Sequence, residues 1–191
     1  MIKYTPANNL KPKVGDILLS EPFLNDPFFG RKAVLLCENN EGGSFGLVLN
    51  NYIDINAEDL LDGFPAMENR MSIGGPVNRT NLFYLHSCPE IKGSQFVIDE
   101  VYLGGDFEEL KKLISDGLEP NKYRFFIGYS GWAEGQLDEE IKSRSWFVTA
   151  ASSSQVMDTT EANDKFWKSL IKKMGEGYNH IASAPVDPSL N

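Results

Sequence analysis

The stretch YRFFIGYSGWAEGQLDEEI, residues 123–141, decides the fold. Its first half, YRFFIGYS, is rich in aromatic and aliphatic residues and predicts a buried strand. Its second half predicts a short helix, GQLDEEIKSR. Gly128 and Gly131 allow a sharp bend between the two, and Trp132 is expected to anchor the helix to the core. We therefore expect a corner of the fold that lines a pocket.

The bulk composition is that of one ordered domain. The chain has 191 residues, of which 41% are hydrophobic and 12% aromatic, and this length buries a sizeable core without disulfides or metals. The first residues, MIKYTPANNLKPKVGD, contain no apolar run of the kind found in a signal peptide. Apolar runs elsewhere reach about five residues, far short of the roughly 20 that span a bilayer. We therefore expect a soluble, cytoplasmic protein.

The net charge of −9 restricts the partners. Nucleic acids and anionic membranes attract cations, so direct binding to either is disfavoured. The charge is also uneven, since residues 99–119 carry seven acids and two lysines, whereas residues 165–175 carry four lysines and no acid. The lysines fit either a patch for phosphate or an acidic partner, or a solvated face. Self-association as a homo-oligomer through opposite patches stays open.

Working outward from the corner, the apolar patterns predict about eight strands and four helices. Hairpin-length loops join the early strands, and helices separate the later ones. The clearest helix covers residues 106–117, where Asp106 and Glu109 form a pair resembling a capping box. A shorter helix, capped by Asn56, is predicted over residues 55–63.

This mixture predicts an α+β fold on a mixed or strongly curved sheet. An amphipathic helix over residues 161–175 closes the domain. No linker divides the chain, so the predicted boundaries are an N-terminal arm over residues 1–14, a single domain over residues 15–178 and an irregular C-terminal tail over residues 179–191.

Six segments occur in the order known from one bacterial family: GDILLSEPFLNDPFFGRKAVLLCEN, GLVLN, GGPV, LFYLH, GYSGWAEGQLDEEI and KFWKSLIKKMG. On these segments the chain resembles the YqgE/AlgH family over residues 15–175. The resemblance implies a bacterial cytosolic protein with a mixed, bifurcated sheet, part of it closed as a small barrel, surrounded by helices. It also implies a described role as a transcriptional regulator, because one member's name is linked to alginate control. It brings no reaction and no ligand.

Two positions depart from the pattern of that family. Alanine is usual where this chain has Ser130. An acidic or histidine pair is common where this chain has ENN at residues 38–40. The resemblance therefore carries no catalytic role to either position.

GYSGW also approaches the nucleophile elbow G-x-S-x-G, which exposes a serine on a turn from strand to helix. Gly128 and Ser130 fit this motif, but Trp132 replaces its last glycine and would crowd the turn. The chain has only two histidines, His86 and His180, and neither can be assigned with an acid as the partner of the serine. A hydrolase is therefore an alternative and not the first hypothesis.

Glycine turns around the corner make up the candidate binding site. SIGGPVNR, residues 72–79, lacks the glycine-rich phosphate motifs and predicts a tight turn or bulge with close backbone approach, with NRT as a polar turn. Strand-end Asn50 can hydrogen-bond across to it. Amides at the start of the GQLDEEI helix can hold an anion, although four acids compete for them. The candidate ligand-binding residues are Asn50, Gly74, Gly75, Pro76, His86, Gly128, Tyr129, Ser130, Gly131, Trp132 and Gln136.

His86 is the plausible general base near the glycine turns, and its side chain shares a strand face with Cys88. A metal site needs further ligands, and the sequence has neither C-x-x-C nor H-E-x-x-H spacing. No metal and no cofactor is therefore predicted. Cys37 and Cys88 are interpreted as ordinary buried thiols, with a disulfide left open.

Three functions remain, in a definite order. The first is a non-catalytic binding or regulatory module that holds a protein or small molecule near the GYSGW and GGPV turns. The second is a hydrolase-type enzyme that uses His86 and the GYSGW turn. The third is a direct DNA-binding regulator, for which the sequence offers one basic helix and no helix-turn-helix.

Overall fold

The computed structural model describes residues 11–24, 26–55 and 57–185. These ranges contain ten strands and six α-helices. The strands are β1 (Asp16–Ser20), β2 (Ala33–Asn40), β3 (Gly43–Val48), β4 (Tyr52–Ile53), β5 (Met71–Ile73), β6 (Val77–His86), β7 (Gln95–Ile98), β8 (Val101–Leu103), β9 (Tyr123–Trp132) and β10 (Trp146–Ala150). The helices are α1 (Ala57–Leu60), α2 (Phe107–Ser115), α3 (Gln136–Lys142), α4 (Ser153–Met157), α5 (Asn163–Lys173) and α6 (Asn179–Ala182).

Strand β9 is the centre of the sheet. The strands follow the order β10-β1-β2-β3-β9-β6-β8-β7. One edge of β9 pairs with β6. Two strands share the other edge: β5 pairs in parallel at Phe126 and Ile127, and β3 pairs antiparallel from Ser130 to Trp132. The sheet therefore divides at β9. The other pairings among the described residues are antiparallel, so the fold is α+β on a large, mainly antiparallel sheet.

The sheet curls but does not close, so the predicted closed barrel is wrong. Strand β7 comes against the start of β1, where a Cβ on Gly15 would lie 3.0 Å from Ile98 Cβ. The side chain of Gln95 also donates to the carbonyl of Cys37 over 3.1 Å. No strand pairing joins the two ends within the described ranges. Strand β2 carries a bulge at Cys37 in its pairing with β3.

Three groups of buried side chains hold the helices on the sheet. Helices α4, α5 and α6 pack on one face of β1, β2 and β3, where Leu35 and Trp167 are fully buried. We call this side the α5 face. Helix α3 packs on the opposite side, the α3 face, through Leu137. Helix α2 covers β6 and β9 through contacts that involve Leu110 and Phe125.

The predicted helix at residues 106–117 is present as α2. Of the predicted pair at its start, Asp106 caps the helix and Glu109 does not. The Asp106 carboxylate accepts hydrogen bonds from the amides of Glu108 and Glu109. The Glu109 side chain does not return to Asp106. It accepts from the amide of Lys92 over 3.0 Å and so ties the preceding loop to the helix.

Three local predictions differ from the structure. NRT is not a turn but lies inside β6, at a register shift against β9, with Asn78 at a φ of 47°. Helix α1 spans only Ala57–Leu60, and its predicted cap, Asn56, lies outside the described residues. The predicted irregular tail starts with helix α6, whose Ile181 is buried in the core. Residues 1–10 of the arm and 186–191 of the tail lie outside the described ranges.

Candidate functional site

The chain between β5 and β6 crosses over β9, and this crossing brings two predicted motifs together. Because β5 and β6 pair with opposite edges of β9, the connecting segment passes across it at Gly74 and Gly75. A Cβ on Gly74 would lie 2.4 Å from the carbonyl oxygen of Gly128, and one on Gly75 would lie 1.9 Å from the carbonyl carbon of Tyr129. Only glycine allows two backbones to approach this closely.

Hydrogen bonds fix the crossing on both sides. The amide of Gly74 donates to Ile127 O over 2.9 Å, and its carbonyl accepts from the amide of Val48, also over 2.9 Å. The Ser130 hydroxyl donates to the same carbonyl over 3.1 Å. Ser130 is fully buried, so its hydroxyl faces main chain and not a cleft. This differs from the exposed serine of a nucleophile elbow.

Gly128 changes the direction in which the side chains of β9 point. Its φ is +67°, in the left-handed region that favours glycine. Before it, Phe126 lies in the core on the α5 face; after it, Tyr129 packs against that core and Trp132 lies in the core under α3. The bend predicted at Gly128 is therefore a break in side-chain alternation within β9, opposite the register shift of β6. Gly131 has no such φ.

Trp132 holds α3 against the sheet. Its indole Nε1 donates to the Glu140 carboxylate over 2.9 Å, and Nε1 of Trp146 donates to the same Oε2 over 2.7 Å. The two indole rings meet edge to face with centroids 5.8 Å apart. Gln136 completes the arrangement, since its side chain accepts from the amide of Ala133 and donates to Oε1 of Glu140, each over 2.9 Å.

An open groove of about 490 Å³ lies beside the crossing, between the hairpin of β2 and β3 and the end of β9. We call it the hairpin groove. Three of the predicted binding residues line it: Tyr129, Gly131 and Trp132. The full lining is Glu38, Asn40, Gly42, Gly43, Ser44, Phe45, Val77, Tyr129, Gly131, Trp132 and Ala133.

Aromatic side chains form the apolar part of the hairpin groove. The ring of Phe45 stacks on that of Tyr129 with centroids 4.8 Å apart, and Phe83 lies 5.4 Å and 5.5 Å from these two rings. All three side chains are half-buried. Val77, at the start of β6, is 36% exposed. The groove therefore offers apolar surface directly to solvent.

The carboxylate in the groove is placed by the bulge of β2. Leu36 pairs with Gly46 and Glu38 pairs with Phe45, so Cys37 is the extra residue. Paired residues point to the same face of a sheet. Glu38 therefore shares the α5 face with Phe45, whereas regular alternation would place it on the α3 face with Leu36.

His86 does not join the other candidate residues. It pairs with Tyr123, and Ser130 lies seven residues further along β9, which separates them by about 23 Å at 3.3 Å per residue. Its Nε2 is 2.8 Å from the carbonyl oxygen of Gly104, and its Nδ1 accepts from the amide of Cys88 over 3.2 Å. This pattern requires a neutral ring protonated on Nε2. Burial lowers the pKa of His86, although the bond to Gly104 opposes the shift.

Asn50 is also a structural residue and does not bond to the crossing. Its side-chain oxygen accepts from the amide of Ala33 over 2.8 Å. Its amide nitrogen donates to the carbonyls of Arg31 and Asn163, over 3.0 Å and 2.9 Å. Asn50 thus joins β2 to the start of α5.

Sequence reasoning missed a fully buried arginine on β9. Arg124 donates to the carbonyls of Leu49 and Val156. Its guanidinium also lies over the ring of Tyr52, and the guanidinium of Arg70 lies 3.8 Å from the centre of the same ring. Burial lowers the pKa of Arg124, while Tyr52 and Asp158 oppose the shift. The sequence did contain a signal for this residue, namely a charged side chain inside the apolar run YRFFIG. A buried arginine almost always has partners, so its presence there indicates a buried polar contact.

The two cysteines are buried free thiols, as predicted, and burial raises the pKa of both Cys37 and Cys88. In residues 11–24, 26–55 and 57–185, no three His, Cys, Asp or Glu side chains converge in a way that could hold a metal ion. Within these ranges, no helix is long and apolar enough to cross a membrane.

These features define a class: an α+β protein whose open sheet divides at a central strand and carries a shallow groove at one hairpin. A family model described as AlgH-like matches residues 17–179, and the chain belongs to this family. It is 39% identical over 187 residues to a UPF0301 protein of Bacteroides thetaiotaomicron, a match that covers 97% of this chain and 94% of that one. A UPF0301 protein of Bacteroides fragilis is 40% identical, with the same coverage of both chains.

Solved structures agree with the fold. The AlgH protein of Pseudomonas aeruginosa superimposes with a TM-score of 0.69 at 25% identity, covering 92% of this chain and 97% of that one. A protein of Corynebacterium diphtheriae gives a TM-score of 0.74 at 23% identity, covering 91% of this chain and 93% of that one. At this identity the likeness supports the fold alone. The resemblance seen in the sequence is thus confirmed.

Proposed function

We propose that the chain is a non-catalytic binding module that holds a protein or small-molecule partner in the hairpin groove. One observation carries the proposal. The rings of Phe45 and Tyr129 pack against the core of the α5 face but remain half-buried, and they line the groove together with the exposed side chain of Val77. Apolar surface in a concave, open site is typical of binding sites.

The positions of Ser130 and His86, the two residues that a hydrolase would use, favour binding over catalysis. A serine nucleophile needs a base within hydrogen-bond reach. Ser130 is buried against Gly74, and His86 lies about 23 Å along the strand at 3.3 Å per residue. Each is occupied by main-chain hydrogen bonds, and neither lines the groove.

The charge of the groove favours a partner other than DNA. Phosphate recognition relies on Lys and Arg. Neither type lines the hairpin groove within the described part of the chain. A regulatory role of the kind ascribed to the family would then act through a bound partner. We place this activity in the bacterial cytoplasm, and cell fractionation tests that location.

Two matched substitutions test the groove. Val77→Arg puts a long charged side chain at its edge, and Phe96→Arg makes the same kind of change on β7, where Phe96 is 57% exposed and does not line the groove. We expect the proteins and metabolites that co-purify with the wild type to be lost with Val77→Arg and retained with Phe96→Arg. Identical sets from all three proteins would contradict the proposal.

A substrate screen completes this test. Wild type and Ser130→Ala are compared for hydrolysis of a broad panel of esters and amides. An activity present in the wild type and lost in the folded variant would show that the module is an enzyme and overturn the non-catalytic reading.

A further inference from the structure

We propose that the hairpin groove selects a positively charged peptide segment, with a Lys or Arg side chain lying against the aromatic rings and its charge beside the Glu38 carboxylate. This inference rests on the proposed function and adds the chemistry of the partner to it.

The position of Glu38 is the first argument. A regular β2 would send this side chain to the α3 face, and the bulge at Cys37 turns it to the same face as Phe45. Phe45 in turn pairs with Gly131, so Glu38, Phe45 and Gly131 lie in one row across three strands. Glu38 is half-buried at one end of that row. A carboxylate in this position favours a cation and repels an anion.

The aromatic rings are the second argument. The side chains of Phe45 and Tyr129 stack 4.8 Å apart beside this carboxylate and reach solvent through the groove. Gly131 adds no side chain to the row, and the Tyr129 ring lies over it, with Cε2 3.0 Å from where a Cβ would stand. A cation within about 6 Å of an aromatic face is attracted to it, more strongly where water is excluded. The aliphatic stem of Lys or Arg covers apolar surface at the same time.

Charge complementarity extends beyond the groove. Its only charged lining residue among the described ones is Glu38. A neighbouring depression, which shares Asn40 with it, is lined by Glu41 and Asp138 and a single cation, Lys11. The whole chain carries −9. Such a field attracts basic segments and raises their association rate.

The shape of the groove favours an extended segment over an enclosed small molecule. It is a shallow depression of about 490 Å³ whose walls include Gly42, Gly43 and Gly131. The open side of the groove admits a chain that crosses it, which an enclosed cavity would not. Side chains of the segment then reach the rings and the carboxylate.

Two fluorescein-labelled octapeptides of matched length test the charge preference: GSKWKSKG and its acidic counterpart GSEWESEG. Binding is followed by fluorescence anisotropy with the wild type, Glu38→Gln and Glu108→Gln. Glu108 is exposed on α2, so its substitution makes the same change in net charge outside the groove. Val77→Arg serves as the variant that blocks the groove.

We expect the basic peptide to bind, more weakly as salt rises, and the acidic one to fail. Glu38→Gln should weaken the basic peptide by about fivefold and Glu108→Gln should leave it unchanged. In amide NMR spectra, the signals of Gly42, Gly43 and Gly131 should shift on titration, whereas Gly177 on the far C-terminal turn should not.

Each contrary result has its own meaning. Equal binding of both peptides, equal weakening by both Gln variants, or no binding up to about 1 mM overturns the cationic preference. If a partner captured by the wild type is lost with Val77→Arg yet keeps its affinity for Glu38→Gln, the binding module stands and the charge selection fails. If Val77→Arg leaves every interaction intact, the proposed function itself fails.

Discussion

Replacing Gly75 by alanine tests the crossing on which the whole site is built. The new Cβ would lie 1.9 Å from the carbonyl carbon of Tyr129, 2.0 Å from its oxygen and 2.2 Å from the amide nitrogen of Ser130. All three atoms are main chain, so no side chain can rotate away. Gly75 has no left-handed φ, and the effect is therefore purely steric.

The expected loss follows from the displacement. Carbon atoms in contact are normally about 3.5–4.0 Å apart, so the two segments must separate by roughly 1.5–2 Å. Overpacking of this kind costs about 1–3 kcal/mol. The movement also breaks some of the hydrogen bonds at Gly74, each worth about 0.5–1.5 kcal/mol. We expect Gly75→Ala to lower the free energy of unfolding by at least about 3 kcal/mol.

Urea denaturation followed by tryptophan fluorescence measures this loss, because Trp132, Trp146 and Trp167 are all buried. With an m-value of about 2 kcal/mol per molar, the midpoint should fall by about 1.5 M. Gly177→Ala is the control, since Gly177 has no atom within 4 Å of its added Cβ and no left-handed φ. A Gly75→Ala midpoint within about 0.3 M of that control would show that the crossing is loose and refute the reasoning.

Three further outcomes are expected from urea denaturation. Glu140→Ala removes the acceptor of two indole N–H groups and should lower the free energy of unfolding by about 2–4 kcal/mol, whereas exposed Glu139→Ala should stay within about 0.5 kcal/mol of wild type. Equal losses in the two variants would contradict the role of Glu140 in holding α3 to the sheet. Arg124→Met keeps an unbranched apolar stem but leaves the carbonyls of Leu49 and Val156 without these donors. A loss of about 2–5 kcal/mol is therefore expected, and wild-type stability would count against that role. Burial lowers the pKa of His86, so His86 takes up a proton more readily in the unfolded chain than in the folded one. The stability of the wild type should therefore fall as the pH drops below about 6.5, by at most about 1.4 kcal/mol per pH unit. His86→Gln should lose that part of the slope and His180→Gln should keep it; an unchanged slope in His86→Gln would contradict the assignment.

Much of the fold could be predicted from local patterns. The apolar runs placed most strands, and the capping residue Asp106 placed α2, because both signals depend only on neighbouring residues. The closed barrel was wrong for a non-local reason. Closure requires the two end strands of the sheet, β7 and β10, to pair, and these strands are distant in the sequence. The bulge at Cys37 was not foreseen either. Nothing in AVLLCENN distinguishes a bulged strand from a regular one.

The error over His86 has a single physical origin. NRT, residues 78–80, resembles a turn, and a turn there would fold LFYLHS back toward the glycines of GGPV. In the structure the same residues form an irregularity within β6, which spans ten residues from Val77 to His86. The strand therefore carries the histidine away from the crossing and not toward it. Polar residues predict a break in the ladder, but they do not decide whether the chain reverses.

The groove depends on two breaks in strand alternation, and this explains why its residues could not be grouped from the sequence. Tyr129 faces the α5 side only because Gly128 takes a left-handed φ, and Glu38 faces it only because Cys37 is an extra residue in β2. Regular strands would turn both side chains to the opposite side and would put Ser130 where Tyr129 now lies. Gly128 therefore does more than bend the chain. By shifting the alternation it buries the serine that resembled a nucleophile and exposes the ring that lines the groove, so the same feature that weakens the case for catalysis creates the surface for binding.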